Sequence, residues 1–489
     1  MLFPPEALGT ITEYSTGEVW NAKRMGGAVA RAASALHERG IGPGDNVLIY
    51  HGGSGAFFAD LFAIWQMGAC AACLNPGLSQ PELENIVSFI KPKLILVDQN
   101  TSAGIVGGVA ILCSQVEPVG RIIESKLTLA NSGLDDAALI LFTSGTTGTP
   151  KGVVHNFRSL LARINLNRQF IGDDNLGKTL CVLPTHFGHG LIGNCLTPIL
   201  FGHDLLLLSG SNLPTIGKLG EIIDQHEISF LSSVPAFWKL VCKLAKPAAK
   251  GTLQRVQIGS APLAADLWHQ VIEWCGTDDV VNMYGITETA NWLAGASARD
   301  LAPEDGLIGR MWGGMAAIID SDGQFRPFGE GELVVQSPSL MSGYYQLEAQ
   351  TRDVLVDGWF RTGDIGRIDP DGVMRLTGRQ KNEINRAGVK IHPEDLDLLF
   401  ERHEAVSEAC AFAIADDLSN ELVGLALSLV DASAITVPEL RAWCEERLAS
   451  EKRPDKWFIV PEIPKTDRGK INRQRVAEYC FQLDADKKG

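Results

Sequence analysis

The chain has few basic residues for its acidic content, and it contains no long hydrophobic run. Lysine and arginine total 43 against 58 aspartates and glutamates, which gives a formal net charge of −15. Because this charge repels nucleic acid and anionic membranes, neither is expected as a partner. No run approaches the 18 apolar residues of a membrane span, and residues 1–10 lack the basic and apolar segments of an export signal. We therefore expect a cytoplasmic protein without a membrane span.

Paired cysteines are also scarce. The ten cysteines are scattered among mostly apolar neighbours, and Cys70 and Cys73 form a lone CxxC. Without a second pair or a nearby set of histidines, packing in a reduced core is favoured over a metal or redox site. The 489 residues, of which 45% are hydrophobic, are too many for one core, so two to four structural units are expected.

The most informative stretch is LILFTSGTTGTPKGVVHN, residues 139–156. Its first four residues predict a short buried strand, and a loop rich in hydroxyls and glycines follows and ends at Lys151. Glycines let backbone N–H groups turn toward an anion, and the lysine adds positive charge. A Walker loop is excluded because Gly152 follows the lysine. A flexible linker is the alternative, but the preceding strand and the terminal lysine favour a phosphate-binding loop.

The string TSGTTGTPKG resembles the phosphate-binding signature of the adenylate-forming superfamily, which includes acyl-CoA synthetases, firefly-type luciferases and the adenylation domains of peptide synthetases. The resemblance implies a loop that holds the β- and γ-phosphates of ATP while a carboxylate attacks the α-phosphate. The implied contacts are Thr143, Ser144, Gly145, Thr146, Thr147, Gly148 and Lys151.

Two further motifs resemble the nucleotide site of this superfamily. In NMYGITET, residues 282–289, Tyr284 would stack on adenine, Thr287 would bond the α-phosphate, and Glu288 would bind Mg²⁺. A strand followed by a helix cap is the alternative, since Thr and Glu are common at helix N-termini. In GSAPLAADL, residues 259–267, the backbone would lie against adenine and the acyl group. The implied contacts in these motifs are Gly259, Ser260, Ala261, Asn282, Met283, Tyr284 and Gly285.

The segment VLPTHFGHGLIGN, residues 182–194, falls where superfamily members separate the acyl site from the thiol tunnel. Phe187 stands where many members have histidine, and the alternative is a turn with satisfied imidazoles. No aspartate occurs in this segment, whereas members that activate amino acids carry one, so a plain carboxylic acid is expected. Ser260 replaces the commoner glycine, which would narrow the tunnel and disfavour long-chain fatty acids. The acyl-pocket candidates are Phe187, His189, Trp238, Ser260, Met283 and Ile286.

The last motifs concern the ribose and a mobile domain. Asp364 in RTGD resembles the aspartate that accepts both ribose hydroxyls, although a turn residue is the alternative. The charge-rich residues 377–397 resemble the hinge motif. Arg379 would then bond ribose or phosphate, Lys381 would be the pivot, and Asn382 replaces the usual aspartate. Ala387 and Gly388 would line the thiol tunnel. PKTDRGKINR, residues 464–473, resembles the context of the catalytic lysine, here Lys470.

The predicted fold is α/β. Predicted strands at 46–50, 71–74 and 94–97 alternate with predicted helices at 21–39, 56–67 and 80–90, which indicates a largely parallel sheet with helices on both faces. Alternating polarity over residues 330–369 predicts a β-rich subdomain. We thus expect a large N-terminal domain of mostly parallel sheets with that subdomain, residues 1–379, and a small mobile α+β C-terminal domain, residues 380–489.

Together the motifs imply a two-step ligase. ATP, Mg²⁺ and a small carboxylic acid would give an acyl-adenylate and pyrophosphate, with Thr287, Glu288 and Lys470 as catalytic residues. Rotation about Lys381 would then admit coenzyme A, the expected thiol because no carrier-protein domain follows the lysine motif. The phosphopantetheine of a separate carrier protein is one alternative. A non-catalytic nucleotide-binding regulator is another, against which the presence of Lys470, Glu288 and Asp364 counts.

Overall fold

The structure is a computed structural model. It describes residues 7–99, 108–114, 133–143, 151–208, 213–379, 382, 384–386, 389–416, 420–431, 435–448, 452–466 and 470–486. Eight predicted site residues lie outside the described residues, namely Ser144, Gly145, Thr146, Thr147, Gly148, Lys381, Ala387 and Gly388. The backbones of Thr143 and Arg379 are described, but their side chains are not.

The α-helices of the described residues are α1 (Ala22–Glu38), α2 (Gly55–Gln66), α3 (Gln80–Ile90), α4 (Phe157–Ile171), α5 (Asp173–Leu176), α6 (Thr197–Ile199), α7 (Leu213–Gly217), α8 (Leu219–His226), α9 (Pro235–Leu244), α10 (Ala265–Cys275), α11 (Glu348–Val354), α12 (Pro393–Glu401), α13 (Val437–Glu445) and α14 (Arg473–Asp486). A π-helix covers His189–Leu196, and a 3₁₀ turn covers Thr287–Thr289. None of the helices just bounded combines the length and hydropathy needed to cross a membrane.

The first strands are β1 (Ile11–Glu13), β2 (Val19–Trp20), β3 (Asn46–Ile49), β4 (Cys70–Cys73), β5 (Leu94–Val97), β6 (Ala110–Cys113), β7 (Ala137–Thr143), β8 (Lys151–Asn156), β9 (Lys178–Cys181), β10 (Asp204–Leu207), β11 (Phe230–Ser233), β12 (Arg255–Gly259), β13 (Val280–Gly285) and β14 (Trp292–Ser297). The later strands are β15 (Leu307–Met311), β16 (Met315–Ile319), β17 (Phe325–Arg326), β18 (Gly329–Gln336), β19 (Gly343–Tyr344), β20 (Leu355–Val356), β21 (Trp359–Ile368), β22 (Met374–Arg379), β23 (Ile384–Arg386), β24 (Val389–Ile391), β25 (Val406–Asp416), β26 (Asn420–Leu429) and β27 (Lys456–Ile459).

The chain divides into two compact units. The first unit comprises residues 1–315 and 335–360, and the second comprises residues 316–334 and 361–489. The second unit therefore groups only the two ends of the predicted β-rich segment, residues 330–334 and 361–369, with the C-terminal residues, whereas residues 335–360 belong to the first unit. The domain boundary expected between residues 379 and 380 stays a prediction.

The first unit contains the predicted parallel sheet with helices on both faces. Its strand order is β19-β8-β7-β4-β3-β5-β6, in which β7, β4, β3, β5 and β6 run parallel. Alternate residues of each strand point to opposite faces. Val47 and Ile49 pack in one core with α1 and α2, while Leu48 packs in another core with α3. Cys70 and Cys73 are buried on β4, which confirms their role in core packing.

A second sheet of the first unit carries most of the residues predicted to bind the nucleotide and the acyl group. Its strands in this unit follow the order β15-β14-β13-β12-β11-β9-β10-β1-β2, with a parallel run from β13 to β1. Because parallel strands end at the same edge, the residues after β11, β12 and β13 come together there. Ligands of open α/β sheets bind at this carboxyl edge.

The second unit is α+β. Strands β17, β16, β18, β21 and β22 are neighbours in one group, and β24, β23, β26 and β25 form another, with β27 parallel to β26. The long antiparallel pair of β25 and β26 builds two cores. One is shared with α12 and α13, and the other with α14. These findings confirm the predicted fold class.

Candidate active site

The predicted phosphate loop joins the two strands of a hairpin. β7 and β8 are antiparallel, with Thr143 opposite Lys151 and Phe142 opposite Gly152. Lys151 is therefore the first residue of a strand, whereas it was predicted to be the last residue of a loop. Its ammonium nitrogen lies 3.6 Å from the ring centroid of Tyr344, a cation–π contact that orients the lysine.

Tyr344 also forms a hydrogen bond with Glu288, the residue proposed to bind magnesium. Its phenol oxygen donates a hydrogen bond of 2.8 Å to Oε1 of Glu288. Burial, together with the negative charge of Glu288, raises the pKa of Tyr344 well above its usual range, so the phenol remains a donor at neutral pH. Lys151, Tyr344 and Glu288 thus form a continuous row of contacts, which we call the Lys-Tyr-Glu row. Tyr344 was not predicted from the sequence, because a tyrosine in a strand carries no local signal for this role.

The backbone of the 3₁₀ turn is held at two points. His155 Nε2 lies 2.8 Å from the carbonyl oxygen of Thr287, and the Met341 N–H donates to the Glu288 carbonyl, also at 2.8 Å. Burial lowers the pKa of His155 to about 4, an effect that outweighs the hydrogen bond to Thr287. His155 is therefore neutral at pH 7 and donates from Nε2. It lies within the motif of residues 139–156, yet nothing in the sequence marked it.

Arg163, on α4, fixes the segment that leads to Met341 and Tyr344. Its guanidinium is fully buried and donates to the hydroxyls of Ser339, at 2.6 and 3.1 Å, and Ser337, at 3.2 Å. Burial lowers its pKa to about 9. A buried cation of this kind is costly to desolvate, and the two serine hydroxyls offset part of that cost. The role of Arg163 was not predicted from the sequence either.

Tyr284 and Gly285 end β13 at a bulge against β14. A Cβ on Gly285 would overlap the carbonyl oxygen of Asn291 and lie 2.5 Å from the Cα of Trp292, so only glycine fits. The chain continues into the 3₁₀ turn that holds Thr287 and Glu288, rather than into an α-helix.

Two neighbouring candidates on β13 have structural contacts. The Asn282 amide nitrogen donates to the Leu307 carbonyl at 2.6 Å and so ties β13 to the chain at β15. Met283 is buried in an apolar cluster with Trp292. Their predicted nucleotide contacts stay predictions.

Two residues of the predicted acyl pocket, Ser260 and His189, are in contact. Ser260 adopts a left-handed φ of +70°, unusual for a residue with a side chain, and its Oγ lies 2.8 Å from His189 Nδ1. His189 Nε2 lies 2.7 Å from the Ser232 hydroxyl. His189 begins the π-helix, a geometry often found at functional sites, where the sequence had suggested a turn.

The other aromatic candidates are placed differently. Phe187 is half-buried and contacts His186 edge to face at 5.5 Å between ring centroids. Trp238 is fully buried on α9, where its ring contacts Phe237 and Trp274 at 5.9 and 5.5 Å. Ile286 is half-buried and Ala261 is exposed.

The second unit carries the residues expected to bind ribose. Asp364 and Arg379 are opposite each other on the antiparallel strands β21 and β22. Asp364 is buried inside a strand, which argues against the alternative of a simple turn residue. Its N–H donates to the Thr362 hydroxyl at 3.0 Å.

Lys470 is exposed next to a short antiparallel bridge between Lys465 and Ile471. The Thr466 N–H donates to the Lys470 carbonyl at 2.8 Å, which fixes the backbone at the lysine. The helix α14 then begins at Arg473.

Arg473 lies at the centre of a half-buried cluster of charges. Its guanidinium lies 2.6 Å from Asp397 and 3.1 Å from Glu394, and it donates to the Ala411 carbonyl at 2.7 Å. Asn382, beside the predicted pivot, donates to Glu394 at 2.7 Å. Burial raises the pKa of Asp397 to about 6 in spite of Arg473. The hinge segment and the start of α14 thus share one cluster.

The residues of the first unit fit a magnesium ion bound together with nucleotide. Oε1 of Glu288 accepts from Tyr344, and within the described residues no hydrogen bond reaches its Oε2. The described residues also contain no group of three His, Cys, Asp or Glu side chains able to hold a metal. Mg²⁺ commonly binds one or two carboxylates and completes its octahedron with water and phosphate oxygens. A single half-buried carboxylate suits that arrangement.

The sheets and the order of the motifs are those of an adenylate-forming enzyme. A family model described as AMP-binding enzyme matches residues 10–345, and a model of the AMP-binding enzyme C-terminal domain matches residues 398–470. The chain therefore belongs to the AMP-binding enzyme family, which confirms the predicted superfamily.

Relatives and solved structures agree with this assignment. The chain is 28% identical to an oxalate–CoA ligase of Arabidopsis thaliana, over 94% of this chain and 93% of the relative. It is 30% identical to a sulfoacetate–CoA ligase of Cupriavidus necator, over 71% and 68%. ATP-bound MatB from Rhodopseudomonas palustris shares the fold, with a TM-score of 0.87 at 22% identity over 98% and 97% of the two chains. The predicted enzyme class, an AMP-forming ligase of the acyl-CoA synthetase type, is confirmed.

Proposed function

We propose that the protein joins a small carboxylic acid to coenzyme A in two steps. In the first step a carboxylate oxygen attacks the α-phosphorus of ATP, and the bond to pyrophosphate breaks. In the second step the thiol sulfur attacks the carbonyl carbon of the acyl-adenylate, AMP leaves, and the thiol proton is released. The Lys-Tyr-Glu row beside the hairpin loop is the observation that carries this proposal.

The first step depends on positioning and on offsetting negative charge. The residues 143–148 and Lys151 would hold the β- and γ-phosphates, and Thr287 would donate to the α-phosphate. Tyr284 would stack on adenine beside the backbone of Gly259. Mg²⁺ bound to Glu288 would neutralise charge on the departing pyrophosphate.

The second unit would supply the ribose contacts and the mobile lysine. Asp364 and Arg379 would bind the ribose or phosphate, and Lys470 would bridge the carboxylate and phosphate oxygens during adenylation. Rotation about Lys381 would then withdraw Lys470 and admit the thiol past Phe187, Ala387 and Gly388.

The test is pyrophosphate release from ATP over a panel of carboxylic acids, with and without coenzyme A. We expect release with a subset of the acids and free acyl-CoA when coenzyme A is added. Release without acyl-CoA would point to a carrier protein's phosphopantetheine as the acceptor. Absence of release with every acid would contradict the proposal.

The catalytic role of Lys470 can be tested separately from any effect of the substitution on folding. Lys470→Ala should abolish adenylation but leave thioester formation from a supplied acyl-adenylate largely intact. Lys456→Ala, at another exposed lysine of the same unit, is the matched control and should change neither step. Equal loss of both steps in Lys470→Ala would show that the lysine does not act in the first step alone.

A further inference from the structure

Several buried polar atoms beside His189 have no hydrogen-bond partner in the part of the chain that the structure describes. Gln257 on β12 is fully buried, and neither its Nε2 nor its Oε1 has a hydrogen-bond partner among the residues that the structure describes. Buried side-chain amides are nearly always satisfied, so a glutamine with both atoms unpaired needs an explanation. No motif in the sequence marks this residue.

Gln257 lies on the face of the sheet that carries the predicted acyl pocket. It is the register partner of Ser232 on β11, and partners in adjacent parallel strands point to the same face. The Ser232 hydroxyl contacts His189 Nε2 at 2.7 Å. Two residues beyond Gln257 on this face is Gly259, which precedes Ser260, the second partner of His189. The unpaired amide therefore neighbours the His189–Ser260 pair.

Other unpaired atoms border the same place. Asn194 Oδ1, Asn291 Nδ2 and Trp292 Nε1 are all buried and have no hydrogen-bond partner within the described ranges. Asn194 donates its amide nitrogen to the Ser232 carbonyl at 2.8 Å. A Cβ on Gly193 would overlap Asn291 Nδ2 and lie 2.5 Å from Trp292, so these side chains abut the π-helix. We call His189, Asn194, Ser232, Gln257, Asn291 and Trp292 the polar wall.

The composition of the polar wall defines the group it can bind. It combines donors and acceptors, since the amide of Gln257 offers both and the indole of Trp292 only donates. It contains no lysine or arginine, so a second carboxylate or a sulfonate would be buried against it without a fixed counter-charge. An uncharged hydroxyl or carbonyl oxygen can hydrogen-bond to the polar wall and needs no counter-charge. An alkyl chain would leave the amides unpaired.

We infer that the acid activated by this protein carries an uncharged hydroxyl or carbonyl group, which bonds to Gln257 and the polar wall. This inference rests on the proposed function, because it names the class of acid used in the first step. Gln257 acts here as a specificity-determining residue. A site built to bond a substrate hydroxyl rejects the analogue that lacks it far more strongly than an apolar pocket rejects a missing methylene.

The experiment compares matched acids by pyrophosphate release. Butyrate is set against β-hydroxybutyrate and acetoacetate, and benzoate against para-hydroxybenzoate. Succinate and terephthalate add a second charge at similar size. We expect kcat/KM for the best hydroxy or oxo acid to exceed that of its unsubstituted partner by about tenfold or more. The dicarboxylates should be poorer than the hydroxy or oxo acids.

Gln257→Leu should bring the ratio of the two kcat/KM values close to one. Because both acids are measured on one preparation, the ratio does not depend on how much of the variant has folded. Ser233→Ala is the matched control, since Ser233 is a buried residue with an unpaired hydroxyl on the opposite face of β11, and it should keep the wild-type ratio.

Three results would overturn the inference while leaving the ligase intact. Equal or better use of the unsubstituted acids would mean that ordered water alone satisfies the polar wall. Preference for a dicarboxylate would exclude the uncharged class. An unchanged ratio in Gln257→Leu would remove Gln257 from recognition. Pyrophosphate release with none of the acids would instead contradict the proposed function, and the substrate class would fall with it.

Discussion

The phenol of Tyr344 donates to Oε1 of Glu288 at 2.8 Å, and its ring lies 3.6 Å from the ammonium nitrogen of Lys151. A single tyrosine thus connects the first residue after the hairpin loop with the proposed magnesium ligand. Because the raised pKa keeps the phenol protonated, the hydrogen bond to the carboxylate persists across the physiological range. The orientation of Glu288 therefore depends on a residue more than 50 positions away in the chain.

Tyr344→Phe should slow adenylation without disturbing the fold. The substitution keeps the ring under Lys151 and removes only the donor to Glu288. A hydrogen bond to a charged group contributes about 1.5–3 kcal/mol, so kcat/KM for pyrophosphate release should fall roughly 10- to 100-fold. The effect should be largest at low Mg²⁺ concentration, if Glu288 holds the ion.

The adjacent tyrosine provides the control. The Tyr345 hydroxyl donates to the Ile90 carbonyl and accepts from Asn46, so Tyr345→Phe loses comparable hydrogen bonds away from Glu288. It should lower the melting temperature but leave kcat/KM within about twofold, because these bonds contribute to stability rather than to the reaction. A similar loss of activity in both variants would contradict a specific role for Tyr344.

His155 should make the first unit less stable at mildly acidic pH. Its pKa is about 4 in the folded chain against 6.5 for an ordinary histidine, so below about pH 6.5 the unfolded chain binds a proton that the folded chain does not. The contribution of His155 to the free energy of unfolding is therefore complete above about pH 6.5 and is lost as the pH falls toward 4. Between pH 7 and pH 5 the loss should be about 2 kcal/mol.

His155→Gln isolates this effect, because a glutamine amide can still donate to Thr287 but does not titrate in this range. Urea denaturation at pH 7 and pH 5 should show that the variant loses less stability than the wild type. Asp397, whose raised pKa acts in the opposite direction, is present in both proteins and cancels in the comparison. The same pH dependence in both proteins would show that His155 is not the group responsible.

Local patterns predicted much of the fold and the order of the motifs. The helix α3 and the strand β5 have the bounds that the apolar pattern predicted, because the residues that each element buries are the apolar residues of that pattern. The motif of residues 282–289 was predicted to form part of a nucleotide site, and the structure places Tyr284 at the end of β13 and Thr287 and Glu288 in the turn that follows.

The residues that escaped prediction act through contacts distant in sequence. His155 reaches Thr287 across 132 positions, and Arg163 reaches Ser339 across 176. No periodicity or spacing records such pairs, because each partner is a single residue in an ordinary element. A helix after the turn at residues 182–194 was expected, but its π form was not, because an apolar run with glycines does not specify the hydrogen-bond pattern of a helix.

Arg473→Met should destabilise the second unit strongly. The substitution leaves Asp397 and Glu394 facing each other without a cation. Removing one partner of a fully buried ion pair costs about 3–5 kcal/mol, and because this cluster is only half-buried we expect a loss at or below the low end of that range. Hydrogen exchange of β25 and α14 should accelerate. Arg475→Met, at an exposed position on the same helix, should leave the exchange rates unchanged. Equal protection in the two variants would mean that the cluster does not hold α14 in place.

Gly285→Ala should disturb the nucleotide site directly. The added Cβ would overlap the Asn291 carbonyl and the Trp292 Cα, both backbone atoms, so no side-chain rotation can relieve the clash. Overpacking of this kind costs about 1–3 kcal/mol, and the bulge must open, which moves Tyr284. We expect the KM for ATP to rise by about tenfold or more, measured by pyrophosphate release at saturating acid. Gly42→Ala is the control, because a Cβ there meets no atom within 4 Å, and it should leave the KM unchanged. An unchanged KM for ATP in Gly285→Ala would indicate that adenine does not depend on the position of Tyr284.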